Sequence, residues 1–263
     1  MSTYPVTTAD PTVLVVASGK GGTGVSLLGA LLGLAMAEEG RRVLLVDGTD
    51  SYGALHVMLG VTPRHRLAEL RGGTVQAEEL LTPVTDMLSL LPGGADEPGD
   101  MPLSATERQI LSRRVRELYD GFDLVIVDAG SRLDAVLGAC GDGVDRLLVV
   151  ATDDQVAMAA SHALLKAVEA RLPGLPVDVL VNRADEGVAD MVHGHLATAA
   201  AQFVGREVGY AGAVPHDHCL QGGIGAGMTV QDAAAGSPAA VAARDVGMRL
   251  CGAGSARAGA RIA

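Results

Sequence analysis

The chain has 263 residues, 48% of them apolar, and a formal charge of −11. That is ample material for a large core, while the acidic balance argues against nonspecific binding of nucleic acid or anionic membrane across the whole surface. No apolar run reaches the ~20 residues of a bilayer-crossing helix. The opening "MSTYPVTTAD" lacks the charged start and apolar stretch of a signal peptide, so a cytoplasmic protein is expected.

The first predicted element is "TVLVVA" (12–17), an apolar, β-branched run that reads as a buried strand. The glycine-rich "SGKGGTGVSLLG" (18–29) follows and leads into an Ala-rich helix, 26–39, that stops at Gly40. "VLLVD" (43–47) and "DMLSLLP" (86–92) are further strands, and the Gly- and Pro-rich 92–102 reads as a surface loop. "SATE" (104–107) is a capping box opening a helix to about Tyr119. "DLVIVD" (123–128), "RLLVVAT" (146–152), "VDVLVN" (177–182) and "VGYAGAVP" (208–215) are strands, with helices over 154–171 and 185–204 between them. Residues 1–11 and the Gly/Ala/Ser/Arg tail 252–263 are expected to be disordered around one domain, 12–251, without internal repeats.

Near-continuous apolar strands alternating with helices predict an α/β fold: a single doubly wound, mainly parallel sheet with helices on both faces. In such a fold ligands sit at the carboxyl ends of the strands. The chemistry is therefore expected at 18–26, 47–60, 128–143, 152–155, 182–185 and 215–225.

A phosphate loop reads G-x-x-x-x-G-K-[ST] between strand and helix, and Gly19 to Ser26 satisfies every position except the lysine, replaced by Val25. The backbone N–H groups of Gly21, Gly22, Thr23, Gly24, Val25 and Ser26 can still form an anion nest, and the Ser26 hydroxyl can ligate Mg²⁺. Asp47 and Asp128 end two strands facing the loop, where carboxylates are suited to hold Mg²⁺ directly or through water; aspartate at such positions also serves simply to cap a turn. The chain contains only two lysines, Lys20 and Lys166, against eighteen arginines, and one of the two lies inside the glycine loop.

The histidine pairs His193/His195 and His216/His218 invite a metal reading. The first falls in a helical segment, where i and i+2 diverge, and the second in a loop, so a metal there is not expected. Cys140, Cys219 and Cys251 are far apart and never in C-x-x-C spacing, which favours reduced structural thiols over a disulfide framework or a zinc ribbon.

"KGGTGVS" resembles the deviant P-loop of the MinD/ParA ATPases, K-G-G-x-G-K-[ST]. The likeness extends over about 12–250 through "VLLVDGTDSYGALHVMLG", "LSLLPGG", "YDGFDLVIVDAG" and "VGYAGAVPHD", which are similar to segments of the FlhG-like, flagellar-number-regulating branch. The resemblance implies a P-loop NTPase fold, bound ATP or ADP with Mg²⁺, and a nucleotide-dependent homodimer. Lys20 and Asp47 become the candidate catalytic residues, with Lys20 reaching the partner's phosphates. Asp128 becomes an Mg²⁺-associated residue before a switch at Gly130, Asn182 the reader of the adenine edge, and Pro215 and Asp217 part of a loop over the base. A protein partner in a positioning or flagellar assembly system is implied.

Departures from the family pattern are Val25, Thr49 at the second carboxylate of D-x-D, Ala54 and His56. Two groups that assist hydrolysis are thus replaced, so hydrolysis is expected to be slow or absent while binding, shared among many backbone donors, persists. The tail carries only one bulky apolar residue, Ile262, and lacks the apolar face of a MinD-like membrane anchor. The alternative is a nucleotide-independent scaffold that keeps only the partner surface.

Overall fold

The computed structural model describes residues 10–48, 54–73, 75–93, 104–141 and 143–254. Among these, eight strands form one sheet: β1 (Thr12–Ala17), β2 (Val43–Asp47), β3 (Thr82–Pro83), β4 (Leu88–Leu91), β5 (Leu124–Gly130), β6 (Arg146–Ala151), β7 (Val177–Asn182) and β8 (Gly209–Val214). Their order is β3-β4-β2-β5-β1-β6-β7-β8, with only the two-residue edge strand β3 antiparallel. The helices are α1 (Val25–Glu38), α2 (Leu55–Met58), α3 (Ala105–Arg116), α4 (Leu133–Ala139), α5 (Gln155–Arg171), α6 (Glu186–Ala199), α7 (His218–Gly225), α8 (Val230–Ala233) and α9 (Pro238–Gly254).

The two-residue period of a strand explains why these runs are apolar throughout. In β1, Val13, Val15 and Ala17 point into one core while Leu14 and Val16 point into the other. β5 and β6 divide in the same way, so each central strand must be apolar on both faces. Leu111, Val136, Leu165 and Val192 of α3 to α6 close the first core; Leu28, Leu32 and Met36 of α1 with Ala243 and Val246 of α9 close the second. The doubly wound, mainly parallel sheet expected from the sequence is what forms.

The predicted helices start where their caps require. Ser104 accepts the Glu107 N–H at 3.3 Å while the Glu107 carboxylate accepts the Ser104 N–H at 2.8 Å, completing the capping box. The helix read as 185–204 is α6 followed by a π turn, Ala200–Val204, that ends at Gly205 with φ 75°. The closing helix runs through Gly254, three residues into the segment read as a tail; 255–263, 1–9 and 94–103 lie outside the described residues.

The helices α7 and α9 are held together by one carboxylate. Asp217 accepts the Leu220 N–H at 2.9 Å at the start of α7, and the Ser237 hydroxyl at 2.6 Å and Ala239 N–H at 3.4 Å at the start of α9. These donors, Leu220 first and Ser237 next, hold its carboxyl below the ordinary carboxylate range. Asp217→Ala should cost ~1–2 kcal/mol at neutral pH, as the loss of a helix cap does. Because the native pKa is the lower one, the wild-type advantage should be complete above about pH 4 and fade as pH falls through the native value. Urea unfolding of both proteins at neutral and acid pH checks this; equal midpoints at neutral pH would contradict the tether.

Candidate functional site

The turn between β1 and α1 lies where the winding of the sheet reverses, with β5, β2 and β4 on one side of β1 and β6 to β8 on the other. Its path is pinned at several points. The Ser18 N–H donates to Gly130 O at 2.9 Å and the Ser18 hydroxyl to Lys20 O at 2.5 Å. Gly19 is pressed onto α5, where an added Cβ would sit 2.2 Å from the Ala160 carbonyl carbon. Gly22 and Gly24 have φ of 81° and 98°, a left-handed backbone that a side chain resists.

α1 begins at Val25 with Gly24 as its cap and no side chain on its first N–H groups. Those donors and the helix dipole are what a phosphate needs. The Thr23 hydroxyl is buried in this turn without a hydrogen-bond partner. Such a cradle of glycine backbone, open N–H groups and an unpaired hydroxyl fits a phosphate-bearing ligand. Val25 itself is 7% exposed and packs into the core beneath α1, so the position occupied by lysine in related loops is given over to apolar packing.

Parallel register sets Asp47, the last residue of β2, directly beside Asp128 of β5. Both are buried, Asp128 completely. Asp128 Oδ1 accepts the Gly130 N–H at 2.9 Å, whereas Oδ2 has no partner in hydrogen-bonding geometry. Burial pushes the Asp128 carboxyl up to about 6; the Ser26 hydroxyl and the Gly130 N–H pull it down, and the Asp47 charge adds to the rise. An unpaired buried carboxylate oxygen beside a second carboxylate and a serine suits a hard divalent cation, so Ser26, Asp47 and Asp128 fit Mg²⁺. Gly93, after β4, closes the same corner: a Cβ there would lie 2.1 Å from Asp47 O.

Lys20 is the loop's cation, and it points to α5. Its Nζ lies 2.9 Å from Asp154 Oδ1, and the same oxygen caps α5 through the Ala157 N–H at 2.8 Å. The Lys20 hydrogen bond, then the Ala157 one, lowers the Asp154 pKa. Both side chains are roughly half exposed, so the pair is a weak restraint that water competes with. The sequence reading placed chemistry at 152–155 without identifying this partner.

Asn182, at the end of β7, donates from Nδ2 to Thr23 O at 2.7 Å, and both residues are buried. The carboxamide expected to read adenine therefore also touches the loop backbone. Half-buried Pro215 follows β8 near this corner, while the Asp217 carboxylate is engaged at the starts of α7 and α9. Thr49 lies outside the described residues.

The alternative metal sites find no support among the described residues, where no group of three His, Cys, Asp or Glu side chains converges. His216 and His218 face each other with ring centroids 4.1 Å apart, and His193 packs on Tyr210 at 5.0 Å. Cys140 is buried, and burial pushes its thiol up to about 12, an unreactive state. No helix among the described residues is long and apolar enough to cross a membrane.

The raised pKa of Asp128 has a defined sign. The native state holds this proton more tightly than the unfolded chain, so ligand-free stability should fall as pH rises from about 4 to about 6 and stay at the lower level above. Asp128→Asn should therefore raise ligand-free stability at pH 7.5 by of the order of 1–3 kcal/mol and flatten that slope. Thermal unfolding across pH checks this. A variant less stable than wild type at pH 7.5 would show that the carboxylate is paired in the free protein.

The family model described as cellulose biosynthesis protein BcsQ matches residues 12–245. Antiactivator FleN of Pseudomonas aeruginosa is 23% identical over 239 residues, covering 90% of this chain and 85% of FleN. The flagellum site-determining protein YlxH of Helicobacter pylori is 26% identical over 155 residues, which cover 58% of this chain and 52% of YlxH. The septum site-determining protein MinD of Pyrococcus horikoshii, solved with Mg-ADP, superposes with a TM-score of 0.71 at 20% identity, covering 91% of this chain and 96% of that one, which shows a shared fold. With its glycine loop, paired strand-end aspartates and sheet order in place, the chain belongs to the BcsQ-described family, within the MinD/ParA superfamily of deviant P-loop ATPases.

Proposed function

We propose that this protein binds ATP and ADP with Mg²⁺ and uses the bound state to control a homodimer that engages a protein partner. The partner system would be one that positions or counts a cell-surface machine such as the flagellum, reached from the cytoplasm. The observation that carries the reading is the open N–H cradle at α1 beside the unpaired Asp128 Oδ2. In such a site Gly21 to Ser26 orient the phosphates, Ser26, Asp47 and Asp128 hold the cation, and Asn182 and Pro215 lie at the base end. Mg²⁺, when bound, neutralises phosphate charge. The relatives' printed roles in flagellum siting and cellulose biosynthesis both concern cell-surface assemblies, which supports that choice of system.

Exposed apolar side chains support a second copy as the dimer partner. Val57 of α2, Leu133 of α4 and Val156 of α5 are 70%, 47% and 63% exposed, and these elements follow β2, β5 and β6, of which β5 and β6 flank β1 and its loop. Lys20, whose ammonium is held among the described residues by the half-exposed Asp154, can exchange that contact for a phosphate on a facing subunit. Lys20→Ala should abolish ATP-dependent dimerisation while leaving ADP binding within a few fold, because the backbone donors are untouched. Calorimetry with Mg-ADP and sedimentation with a non-hydrolysable ATP analogue test both parts. No binding by the wild type at millimolar nucleotide would sink the reading in favour of a scaffold.

That scaffold, a fold keeping its partner surface without nucleotide, is favoured by one observation: Val25 is buried in the core rather than presented to the cradle. Loss of a charge aimed at a phosphoryl transition state costs on the order of 10²-fold or more in rate, so turnover should be far below 1 s⁻¹. Val25→Lys with Thr49→Asp should raise it; a lysine stem can remain in the core while its ammonium reaches the surface. Steady-state phosphate release measures this, and wild-type turnover near 1 s⁻¹ would overturn the role given to Val25.

A further inference from the structure

Asn182 carries two hydrogen bonds that fix its carboxamide in one orientation. Nδ2 donates to Thr23 O at 2.7 Å, and Oδ1 accepts the Arg183 N–H at 3.0 Å. Arg183 adopts φ 60°, the only left-handed conformation of a non-glycine residue among the described residues. Such a conformation costs free energy for a residue with a Cβ and persists only where its surroundings impose it. This strained residue directly follows Asn182, and its N–H, which lies in the Asn182–Arg183 peptide, closes onto the Asn182 side chain. The carboxamide is held on one side by a strained turn, and it grips the phosphate loop on the other.

The grip sets a direction as well as a distance. The Thr23–Gly24 peptide is planar and trans, so its carbonyl and its N–H point opposite ways. With the Thr23 carbonyl drawn inward onto buried Asn182, the Gly24 N–H faces away from Asn182 and into the turn. Gly24 also lies against the amide itself: an added Cβ would be 2.5 Å from Asn182 Nδ2. The loop thus cannot carry a side chain at this point, and it cannot rotate that peptide without breaking a buried hydrogen bond.

We infer that Asn182 is a positioning residue for the phosphate loop: by holding the Thr23 carbonyl it aims the Gly24 N–H and organises the anion nest before any ligand arrives. This rests on the nucleotide reading above for its consequence, but the positioning itself belongs to the ligand-free protein. It differs from base recognition, which acts on the adenine end alone. With Val25 in the core, the cradle depends on backbone N–H groups, and their orientation becomes the quantity this strut controls.

Asn182→Asp tests the contact with little change of shape, since it removes the Nδ2 donor and keeps an oxygen for the Arg183 N–H, while Asn182→Ala tests it without the added buried charge. In the ligand-free wild type, backbone order parameters at Thr23 and Gly24 should be near ~0.85, and in Asn182→Asp they should fall below ~0.6. The strands β7 and β8 should keep their order, the thermal midpoint should fall because a buried carboxylate now meets the unpaired Thr23 carbonyl, and Mg-ADP affinity should fall about 10-fold or more. Asn182→Ala should loosen the loop to the same degree. Overturning results are a wild-type loop already mobile, a loop unmoved by Asn182→Asp, or a loss of order spread through β7 and β8. A loop that loosens in a protein whose wild type binds no nucleotide would uphold the strut and defeat the nucleotide reading instead.

Discussion

The backbone between β1 and α1 must pass through left-handed conformations at Gly22 and Gly24 while packed against the α5 backbone at Gly19 and against Asn182 at Gly24. Most of the site follows from that constraint. A chain so pinned loses little further freedom when an anion arrives, so its N–H groups are donors already in place. The same pins draw on distant parts of the sequence: Gly130 from β5, Ala160 from α5 and Asn182 from β7 all define the course of residues 18–24. The turn is a product of the whole sheet order rather than of its own glycines.

Charge in this corner is unevenly distributed. Asp47 and Asp128 are buried side by side, Lys20 leans away onto Asp154, and Val25 contributes nothing ionic. A polyanion can be accommodated there only through oriented peptide dipoles and an added cation that offsets both carboxylates and phosphates. Binding and hydrolysis then separate physically. Binding spreads over many weak donors, whereas a rate depends on charge placed at the one group that gains it in the transition state.

The sheet was legible because buried parallel strands leave an unmistakable pattern: "VLVVA", "VLLV" and "LLVVA" are apolar at every position, as two-sided burial demands. The glycine loop and the strand-end aspartates were legible for a related reason, since each sits at a strand terminus that the pattern locates. The C-terminal helices were not, because 218–243 is dominated by Gly and Ala, whose burial depends on Asp217 bridging two helix starts. Nor could spacing show that Asn182 meets Thr23 across 159 residues, or that Asp154 caps α5 and holds Lys20 with one oxygen. Such pairings arise from strand order, which local sequence does not encode.

The two functional readings place opposite demands on Asp128. A scaffold free of nucleotide gains nothing from a fully buried carboxylate whose Oδ2 is unpaired and whose ionisation is opposed by burial and by Asp47. Asparagine or an apolar residue of similar size would relieve that cost and leave the sheet intact. A ligand-linked switch, by contrast, uses the cost: a site strained when empty and relieved when filled shifts the conformational equilibrium by the difference between the two. The buried carboxylate pair therefore weighs toward nucleotide binding, and the apolar packing of Val25, the one observation on the scaffold's side, weighs more heavily against fast turnover than against binding.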